Sequence, residues 1–562
     1  MKNIAQQILI KIIKARPQNP AQFLKLKRQF SSELNFPPVS NATLIKAYRQ
    51  LRSGSRWPRQ RLIGFLTKRP TRSLSGVTPL TVLTKPFPCP GKCIYCPNEP
   101  GMPKSYLSNE PAAQRAKLNK FDPARQVKMR IRALEANGHQ VDKIELLILG
   151  GCFNAYPKAY QKSFMKKCFE VCNSRRLSHT SSCEFGFFRT RTVKTLKESF
   201  QKNETAKYRI IGITIETRPD LINEQQIKWF RELGVTRVQL GVQHLDDKIL
   251  KLVKRGHTTS QTIAATRLLK QAGFKIDYHL MPDLPGSTPQ KDLKMFKRLF
   301  SDENFQPDQI KIYPTVITKY APIYRWLKSG KHKPYSPIQL INLVTKIKLT
   351  VPYYVRINRL IRDIPQESII AGNKITNLRQ LLSVKMKQQH LKCKCMRCRE
   401  ARENIDDIKK AKLFTEKYRA SDGWEYFISY ESPKREKLYS FLRLRVNDCP
   451  GGGKPCHRHY LPELQNAAIV RELHTYGQLV PTPRPVAGKL RSGGGRPCLP
   501  PVINAAQHTG FGKRLMKIAE DLTKKHRLKK IAVISGIGVR PYYRKLGYRL
   551  QGTYMVKNIK YS

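Results

Sequence analysis

Three cysteines near the start of the chain have the spacing of ligands to a metal centre. Cys89, Cys93 and Cys96 follow a run of β-forming residues in the pattern CxxxCxxC. A structural zinc site needs four protein ligands, whereas a four-iron cluster held by three thiolates keeps one iron open for a further ligand. The spacing therefore favours a [4Fe–4S] cluster with an open iron over an incomplete zinc site or three unrelated thiols.

Strand and helix patterns alternate after this loop. Apolar, strand-like runs lie at 81–85, 144–149, 210–216, 237–242, 275–281 and 309–313, and amphipathic stretches lie at 123–137, 224–233, 262–272 and 290–300. Repeated βα units predict a parallel sheet that closes, or nearly closes, into a barrel. Six units are too few for an eight-fold barrel, so we predict a partial (β/α)6 barrel over residues 76–390.

Polar residues stand where the predicted strands end, which is the functional edge of such barrels. An open iron can chelate the amino and carboxylate groups of S-adenosylmethionine (SAM), and a reduced cluster then cleaves SAM into a 5′-deoxyadenosyl radical. Each polar residue alone is a weak signal, because a Gly-Gly pair is most often a plain turn. Together they are candidates to hold SAM: Gly150, Gly151, Glu216, Arg218 and Gln239.

A second motif with its own chemistry lies close to the end of the chain. Gln507, Gly510 and Gly512 form a QxxGxG turn that opens a predicted helix at 511–526. Unpaired backbone N–H groups at a helix N-terminus suit a pyrophosphate, and this turn is typical of GNAT-type acetyltransferases that bind CoA. Predicted strands at 426–430, 438–446, 468–474 and 531–535 accompany it.

Two adjacent tyrosines follow this helix and a further glycine-rich turn. Tyr542 or Tyr543 could approach the CoA sulfur and act as a general acid, and both are candidate catalytic residues. A packing role is an equally good interpretation of either tyrosine from physical arguments alone.

The composition limits the partners and the compartment. Lys and Arg number 106 against 39 Asp and Glu, which gives a net charge of +67. Such a charge predicts binding to a polyanion, either nucleic acid or an anionic membrane surface. We favour nucleic acid over a general adaptation to high salt or high temperature and over a solubility device. No run of about 18 apolar residues predicts a membrane span, and no secretory signal is evident. Thirteen cysteines in such a chain indicate a reducing compartment, so we expect the cytoplasm.

Two further segments have distinct patterns. Residues 1–75 contain sixteen Lys and Arg but a single acid, and they predict short basic helices followed by an extended arm at 52–72. Residues 391–410 carry Cys393, Cys395 and Cys398 and look like a cysteine-bearing hinge between the barrel and a C-terminal domain at 411–562.

This combination of a cysteine loop, a barrel, a cysteine-bearing linker and a GNAT domain resembles the catalytic subunit of the Elongator complex and its single-chain microbial relatives. The resemblance extends from about residue 76 to the end, and the basic N-terminal segment is similar to the family's tRNA-binding region. The stretches that carry it are 212–220 (GITIETRPD), 255–257 (RGH), 281–285, 311–315 (KIYPT), 423–430, 471–476 and 542–552.

The resemblance implies a tRNA-modifying enzyme that forms a carboxymethyl-type group on carbon 5 of the wobble uridine. Acetyl-CoA would supply the acetyl group, SAM would supply the radical, and an electron donor would reduce the cluster. The oligomeric state is left undecided between a homodimer and a complex with other subunits. It implies zinc at the second cysteine group, with the fourth ligand open among His390, Cys449, Cys456, His457 and His459. The acetyl-CoA contacts it implies are Lys143, Glu472, Leu473, His474, Thr475, Phe511, Gly512, Lys513, Arg514 and Tyr543.

The sequence also departs from the family pattern. Cys152 stands where the family usually has threonine, and the stretches 449–459 and 481–502 are longer than expected. We favour inert loops over a separate metal or RNA contact there, since loops tolerate insertion. Two other functions remain as alternatives: a protein lysine acetyltransferase with the barrel as scaffold, and a non-catalytic zinc- and RNA-binding module.

Overall fold

The computed structural model of the chain describes residues 2–51, 59–67, 76–174, 195–402, 407–448, 459–477 and 509–561. Within these ranges, no helix is both long and apolar enough to cross a membrane.

The N-terminal segment forms a small helical unit with its own core. Its helices are α1 (Lys2–Ala15), α2 (Pro20–Glu33), α3 (Asn41–Gln50) and α4 (Arg59–Leu66). Asn19 and Ser40 cap α2 and α3 by accepting hydrogen bonds from backbone N–H groups in the first turn. The prediction of an extended arm at 52–72 is wrong for α4, because Leu62 and Leu66 are buried in this core and hold the segment as a helix.

The central part of the chain is a partial barrel with helices on its outer face. Its elements are β1 (Thr78–Leu83), α5 (Pro111–Leu118), α6 (Pro123–Ala136), β2 (Lys143–Leu149), α7 (Lys158–Asn173), α8 (Leu196–Asn203), β3 (Arg209–Thr217), α9 (Glu224–Glu232), β4 (Arg237–Gln243), α10 (Asp247–Leu252), α11 (Thr259–Gln271), β5 (Lys275–Leu280), α12 (Pro289–Ser301), β6 (Gln309–Ile312), β7 (Val316–Ile317), α13 (Ile323–Lys328), α14 (Pro337–Thr350), β8 (Arg356–Arg359), β9 (Ala371–Gly372), α15 (Leu378–Gln388) and α16 (Met396–Arg399).

The barrel sheet is parallel throughout, in the order β1-β2-β3-β4-β5-β6-β8. The predicted partial barrel is confirmed, but its sheet has seven strands rather than six. The seventh, β8, has the sequence RINR, and only Ile357 of its four residues is apolar. Such a short polar run carries no hydrophobic strand signal, which is why the sequence did not predict it.

The C-terminal part is a second, mainly antiparallel sheet with one long helix. Its elements are β10 (Lys412–Arg419), β11 (Gly423–Glu431), β12 (Leu438–Asn447), β13 (Ala467–Thr475), α17 (Phe511–Lys525), β14 (Lys530–Val533), α18 (Arg540–Arg544), β15 (Arg549–Gln551) and β16 (Tyr554–Asn558). The strand order is β10-β11-β12-β13-β14-β16-β15, and β13 and β14 are its parallel pair.

The second sheet packs closely against the amino ends of the barrel strands. A Cβ atom added to Gly536 would lie 2.0 Å from the carbonyl oxygen of Ile211 in β3, so this contact requires glycine. In the same interface the guanidinium of Arg471 contacts the carboxylates of Asp308, at 2.5 Å, and Glu425, at 2.9 Å, and all three side chains are buried. One hydrophobic core runs through both parts.

The predicted hinge at 391–410 stays a prediction, but several of its described residues are packed into the core. Cys395 and Met396 are fully buried, and Arg399 forms a buried ion pair of 2.7 Å with Glu431 in β11. A charge pair without solvent on either side fixes the helix α16 to the second sheet, since breaking it would leave an uncompensated buried charge.

Candidate active site

A cavity of about 720 Å³, which we call the upper cavity, opens at the carboxyl ends of the barrel strands. The loop after β1 brings Cys89, Cys93 and Cys96 to its wall. The guanidinium of Arg255, from the turn after α10, lies 3.6 Å from the Cys93 sulfur and also donates to the carbonyl oxygen of Gly241 in β4. The barrel and the cysteine loop are therefore joined at the metal-ligand candidates themselves.

The three thiols have different electrostatic environments. A hydrogen bond from the buried Cys152 thiol lowers the pKa of Cys89 to about 5; burial opposes this, while the Gly91 N–H and the charges of Lys104 and Arg218 add to it. Burial raises the pKa of Cys96 to about 11, and the neighbouring Cys93 adds to that effect. Cationic side chains around the loop favour the thiolate form that iron requires.

The sulfur separations indicate which kind of centre the first cysteine group suits. Among the described residues, only Cys393, Cys395 and Cys398 bring three metal-ligand atoms within 4.8 Å of one another. A single tetrahedral zinc ion demands such close sulfurs, because each Zn–S bond is only about 2.3 Å long. The wider set formed by Cys89, Cys93 and Cys96 instead fits a cluster, in which each thiolate binds a different iron.

The predicted SAM residues meet at the upper cavity, with one exception. Gly151, Glu216, Arg218 and Gln239 line it. Gly150 instead packs against Thr84, whose Oγ1 would lie 2.0 Å from a Cβ atom at that position.

Two buried polar atoms at the wall of the upper cavity are suited to bind a polar ligand. Arg218 donates from Nε to Asp220 at 2.9 Å, but its buried Nη1 atom has no hydrogen-bond partner among the described residues. The side-chain oxygen of Gln243, which also lines the cavity, is buried and unpartnered within the described ranges. Buried polar atoms are normally satisfied, so both suit a ligand such as SAM that carries polar groups.

Apart from Gln239, the polar interior of the barrel was not predicted from the sequence. Lys311 Nζ donates to Gln239 Oε1 at 2.7 Å, and Asn358 Nδ2 donates to Asp277 at 2.8 Å and to Gln309 at 2.7 Å. Burial lowers the pKa of Lys311 to about 8 despite the nearby Asp277. Buried parallel strands are usually apolar, so polar residues at every second position, as in Arg237/Gln239 and Gln309/Lys311, were the available signal.

A second cavity of about 780 Å³, the lower cavity, lies between the amino ends of the barrel strands and the second sheet. β13 pairs with β14 only over 467–470, so the two parallel strands diverge beyond Val470 and Val533. Gly510, in a left-handed conformation with φ +83°, begins α17 beside this opening. The N–H groups of the first helical turn have no intrahelical partner, so they are available to bind an anion at the wall of the cavity.

Most of the predicted acetyl-CoA residues line the lower cavity. Arg514 is not part of the lining and packs its guanidinium over the rings of Tyr430 and Phe511. Gln507 falls outside the described residues. The residues that line the cavity are Lys143, Glu472, Leu473, His474, Thr475, Gly510, Phe511, Gly512, Lys513, Tyr542 and Tyr543.

The lower cavity also contains charged and unpartnered polar groups. Burial would raise the pKa of Glu472, but Lys275 and Arg443 outweigh it and hold the pKa at about 2. His474 lies beside Glu472, and burial lowers its pKa to about 4, so the imidazole is neutral at physiological pH. Its Nε2 atom and the Ser535 hydroxyl are buried without partners among the described residues, which suits a polar ligand.

The two tyrosines differ in position within the lower cavity. Their rings stand 5.2 Å apart, nearly at right angles. Tyr543 is 6% exposed, and burial raises its pKa, so the phenol holds its proton at neutral pH. The Tyr542 oxygen lies against the first turn of α17, 3.0 Å from where a Cβ atom of Gly512 would stand.

The second cysteine group lies at the edge of the barrel, near β8. Lys348 Nζ donates to the Cys398 sulfur at 3.5 Å, and the three neighbouring thiols raise the pKa of this lysine against the effect of its burial. Of the candidate fourth zinc ligands, His459 is engaged elsewhere, with the Gln271 carbonyl oxygen at 3.2 Å and the Leu461 N–H at 2.9 Å. Cys449, Cys456 and His457 lie outside the described residues.

Known protein families match both the barrel and the C-terminal part of the chain. Residues 88–299 match the Radical SAM superfamily, 307–388 the Radical_SAM C-terminal domain, and 491–559 the Acetyltransferase (GNAT) domain. The chain is 40% identical over 513 residues to the tRNA uridine(34) acetyltransferase of Methanocaldococcus jannaschii, with 89% of this chain and 87% of that protein covered.

It is similarly 36% identical over 521 residues to human Elongator complex protein 3, covering 89% of this chain and 88% of the human protein. Among solved structures, the archaeal Methanocaldococcus infernus Elp3 with an N-terminus deletion (1-46) superimposes with a TM-score of 0.69 at 38% identity. That match covers 86% of this chain and 100% of the archaeal one.

Proposed function

The chain belongs to the family of the tRNA uridine(34) acetyltransferases and Elongator complex protein 3, and from that premise we propose that it modifies wobble uridine 34 of tRNA. The modification is a carboxymethyl-type group on carbon 5, made from acetyl-CoA with SAM-derived radical chemistry. The observation that carries this proposal is the presence of two different cavities at opposite ends of one barrel, each with residues suited to one of the two reactions.

The upper cavity is the proposed site of the radical reaction. Cys89, Cys93 and Cys96 would hold a [4Fe–4S] cluster, which when bound and reduced supplies a radical from SAM. Arg218 and Gln243 would bind polar groups of SAM through their unpartnered atoms. Glu216, whose carboxylate accepts a hydrogen bond of 2.8 Å from Tyr106, is a proposed acceptor for further polar groups of SAM.

The lower cavity is the proposed acetyl-CoA site. The N–H groups at the start of α17 would bind the pyrophosphate, while the open edge of β13 after Val470 would accept the pantetheine amides. Tyr543 keeps its phenolic proton at neutral pH because burial raises its pKa. It would donate this proton to the CoA sulfur as the thioester bond is hydrolysed.

Two accessory regions complete the proposal. The basic helical unit α1–α4 would bind tRNA through its phosphates, and the net charge of +67 supports this. Cys393, Cys395 and Cys398 would hold a structural zinc ion, with a fourth ligand from the open candidates other than His459. We place the reaction in the cytoplasm, with a separate electron donor for the cluster.

The test is a reconstitution with the full chain, its iron–sulfur cluster, a reductant and unmodified tRNA. Mass spectrometry of the tRNA nucleosides should find modified uridine only when both acetyl-CoA and SAM are present. Acetylation of lysine residues in added proteins at a comparable rate, without SAM and without any change in tRNA, would instead support a protein acetyltransferase and contradict the proposal.

A further inference from the structure

The two cavities share part of their lining inside the barrel. Five residues face the upper cavity on one side and the lower cavity on the other, and we call them the ion-pair gate: Pro79, Glu145, Arg237, Arg356 and Arg397. Three of them lie near the amino ends of β1, β2 and β4, and Arg356 begins β8. The gate therefore crosses the barrel axis close to the lower cavity.

Ion pairs, rather than apolar packing, form this gate. Arg237 contacts Glu145 at 2.7 Å, and it also donates to Thr214 at 2.8 Å and to Gln309 at 3.0 Å. On the opposite side, Glu400 accepts from Arg356 at 2.9 Å and from Arg397 at 2.8 Å.

Barrel interiors of this type are usually filled by layers of branched apolar side chains that admit nothing. A layer of long, paired side chains is different, because arginine and glutamate can change rotamer and exchange partners while their charges stay matched. The side chains around the gate offer many hydrogen-bond donors and acceptors, which suit a neutral polar chain such as the amides and thioester of pantetheine. A free carboxylate would instead compete with Glu145 and Glu400 for the arginines.

We propose that the acetyl-bearing end of acetyl-CoA reaches the upper cavity through the ion-pair gate, along the axis of the barrel. This inference rests on the proposed function and adds the route between its two sites. Arg237 and Glu145 are positioning residues in it, since they hold the gate and do not touch the reacting atoms. The buried ion pairs between the barrel and the second sheet support a route inside the molecule, because turning one part toward the other would break them.

β1 offers a matched series of positions for the test. Val77, just before the strand, lines only the lower cavity, Pro79 lines both cavities, and Thr81 lines only the upper cavity. Pro79 lies on an edge strand that pairs with β2 alone, so a residue with an N–H group at that position breaks no ladder contact. Pro79→Ala removes bulk from the gate, whereas Pro79→Leu and Pro79→Trp fill it by increasing amounts.

In the full chain with its cluster, three quantities are measured for each variant: the Kd of acetyl-CoA, the rate of 5′-deoxyadenosine formation, and modified uridine per 5′-deoxyadenosine. Pro79→Ala should match the wild type. Pro79→Trp should keep the first two quantities but lower the third at least about ten-fold, because the acetyl group no longer reaches its reaction position. The yield of modified uridine per 5′-deoxyadenosine in Pro79→Leu should lie between those of the other two variants. This variant also keeps the test valid if Pro79→Trp does not fold.

The neighbouring positions separate the gate from the cavities. Val77→Trp should weaken acetyl-CoA binding, and Thr81→Trp should slow SAM cleavage. A folded Pro79→Trp or Pro79→Leu with wild-type yield of uridine per 5′-deoxyadenosine would overturn the route while leaving the proposed function intact. Weakened acetyl-CoA binding in step with the lost yield would also overturn it. If the wild type itself modifies no uridine, the proposed function fails and the route fails with it.

Discussion

The two ends of the barrel are built by different rules. The upper end follows the general pattern of such barrels, in which loops after the carboxyl ends of strands carry the reactive groups, here the cysteine loop and Arg218. The lower end is normally a stabilising face, yet here Lys143, Glu145 and Lys275 line a large cavity because a second sheet closes over them. The difference teaches that a second domain can convert the structural end of a barrel into a binding site.

The largest effect should come from removing the predicted cluster ligands of the upper cavity. Replacing Cys89, Cys93 and Cys96 together by alanine should abolish the iron–sulfur absorbance and all uridine modification, because no thiolate ligands remain. Binding of acetyl-CoA at the lower end should not change. Cys172→Ala, which removes one fully buried thiol of α7, is the control for losing a cysteine. Unchanged iron content in the triple variant would contradict the assignment of the upper cavity.

The next largest effect should come from replacing Tyr543, the proposed general acid of the lower cavity. Tyr543→Phe should slow release of acetate from acetyl-CoA by about 100-fold, because the phenolic proton is lost while the ring remains. Calorimetry should show a Kd for acetyl-CoA within about three-fold of wild type, since no hydrogen bond to the pyrophosphate is removed. Tyr542→Phe is the matched control, and equal slowing by both variants would assign the ring pair a packing role.

Charge at the start of α17 should have a smaller effect on the same end. Gly510→Glu places a carboxylate at the proposed pyrophosphate site, which should weaken acetyl-CoA binding by about 30-fold, equivalent to about 2 kcal/mol. Among the described residues, nothing lies within 4 Å of a Cβ atom at this position. Gly510→Asn carries a similar backbone cost at φ +83° without the charge. SAM cleavage at the upper end should continue in both variants.

Removal of the basic unit should weaken tRNA binding and leave the chemistry of both ends of the barrel intact. Deleting residues 1–75 should weaken tRNA binding about ten-fold at low salt and flatten its dependence on salt, because fewer phosphate counterions are released. SAM cleavage and acetyl-CoA binding, measured without tRNA, should stay unchanged and serve as the check of folding. Identical affinity and an identical salt slope would show that tRNA binds elsewhere on the chain.

The sequence predicted the chemistry of both ends better than their geometry. The CxxxCxxC loop and the glycine-rich start of α17 are local patterns, and a local pattern can be recognised in the sequence before the fold is known. By contrast, the contacts of the polar interior depend on which strands are neighbours in the sheet. Glu145 in β2 and Arg237 in β4 form an ion pair because both side chains point to the barrel axis, which the sequence alone does not show. Gly536 resembled an ordinary turn residue, and only the contact with Ile211 explains it.

Strands with few apolar residues were also missed for a physical reason. β8 (RINR) and β10 (KLFTEKYR) are polar in sequence, and β10 is an edge strand with no fully buried residue. Hydrophobic periodicity detects strands that bury a face, so it does not detect an edge that faces solvent. In β8 the polar residues Arg356 and Asn358 are only partly buried, and they line the upper cavity instead of a hydrophobic core.

The central claim, that the two ends of the barrel serve a single reaction, is tested most directly with acetyl-CoA whose acetyl methyl group carries three deuterium atoms. If the radical formed at the upper end acts on the acetyl group held from the lower end, mass spectrometry should find one deuterium in 5′-deoxyadenosine and the other two in the modified uridine. Modified uridine formed at the wild-type rate with no deuterium in 5′-deoxyadenosine would contradict the account.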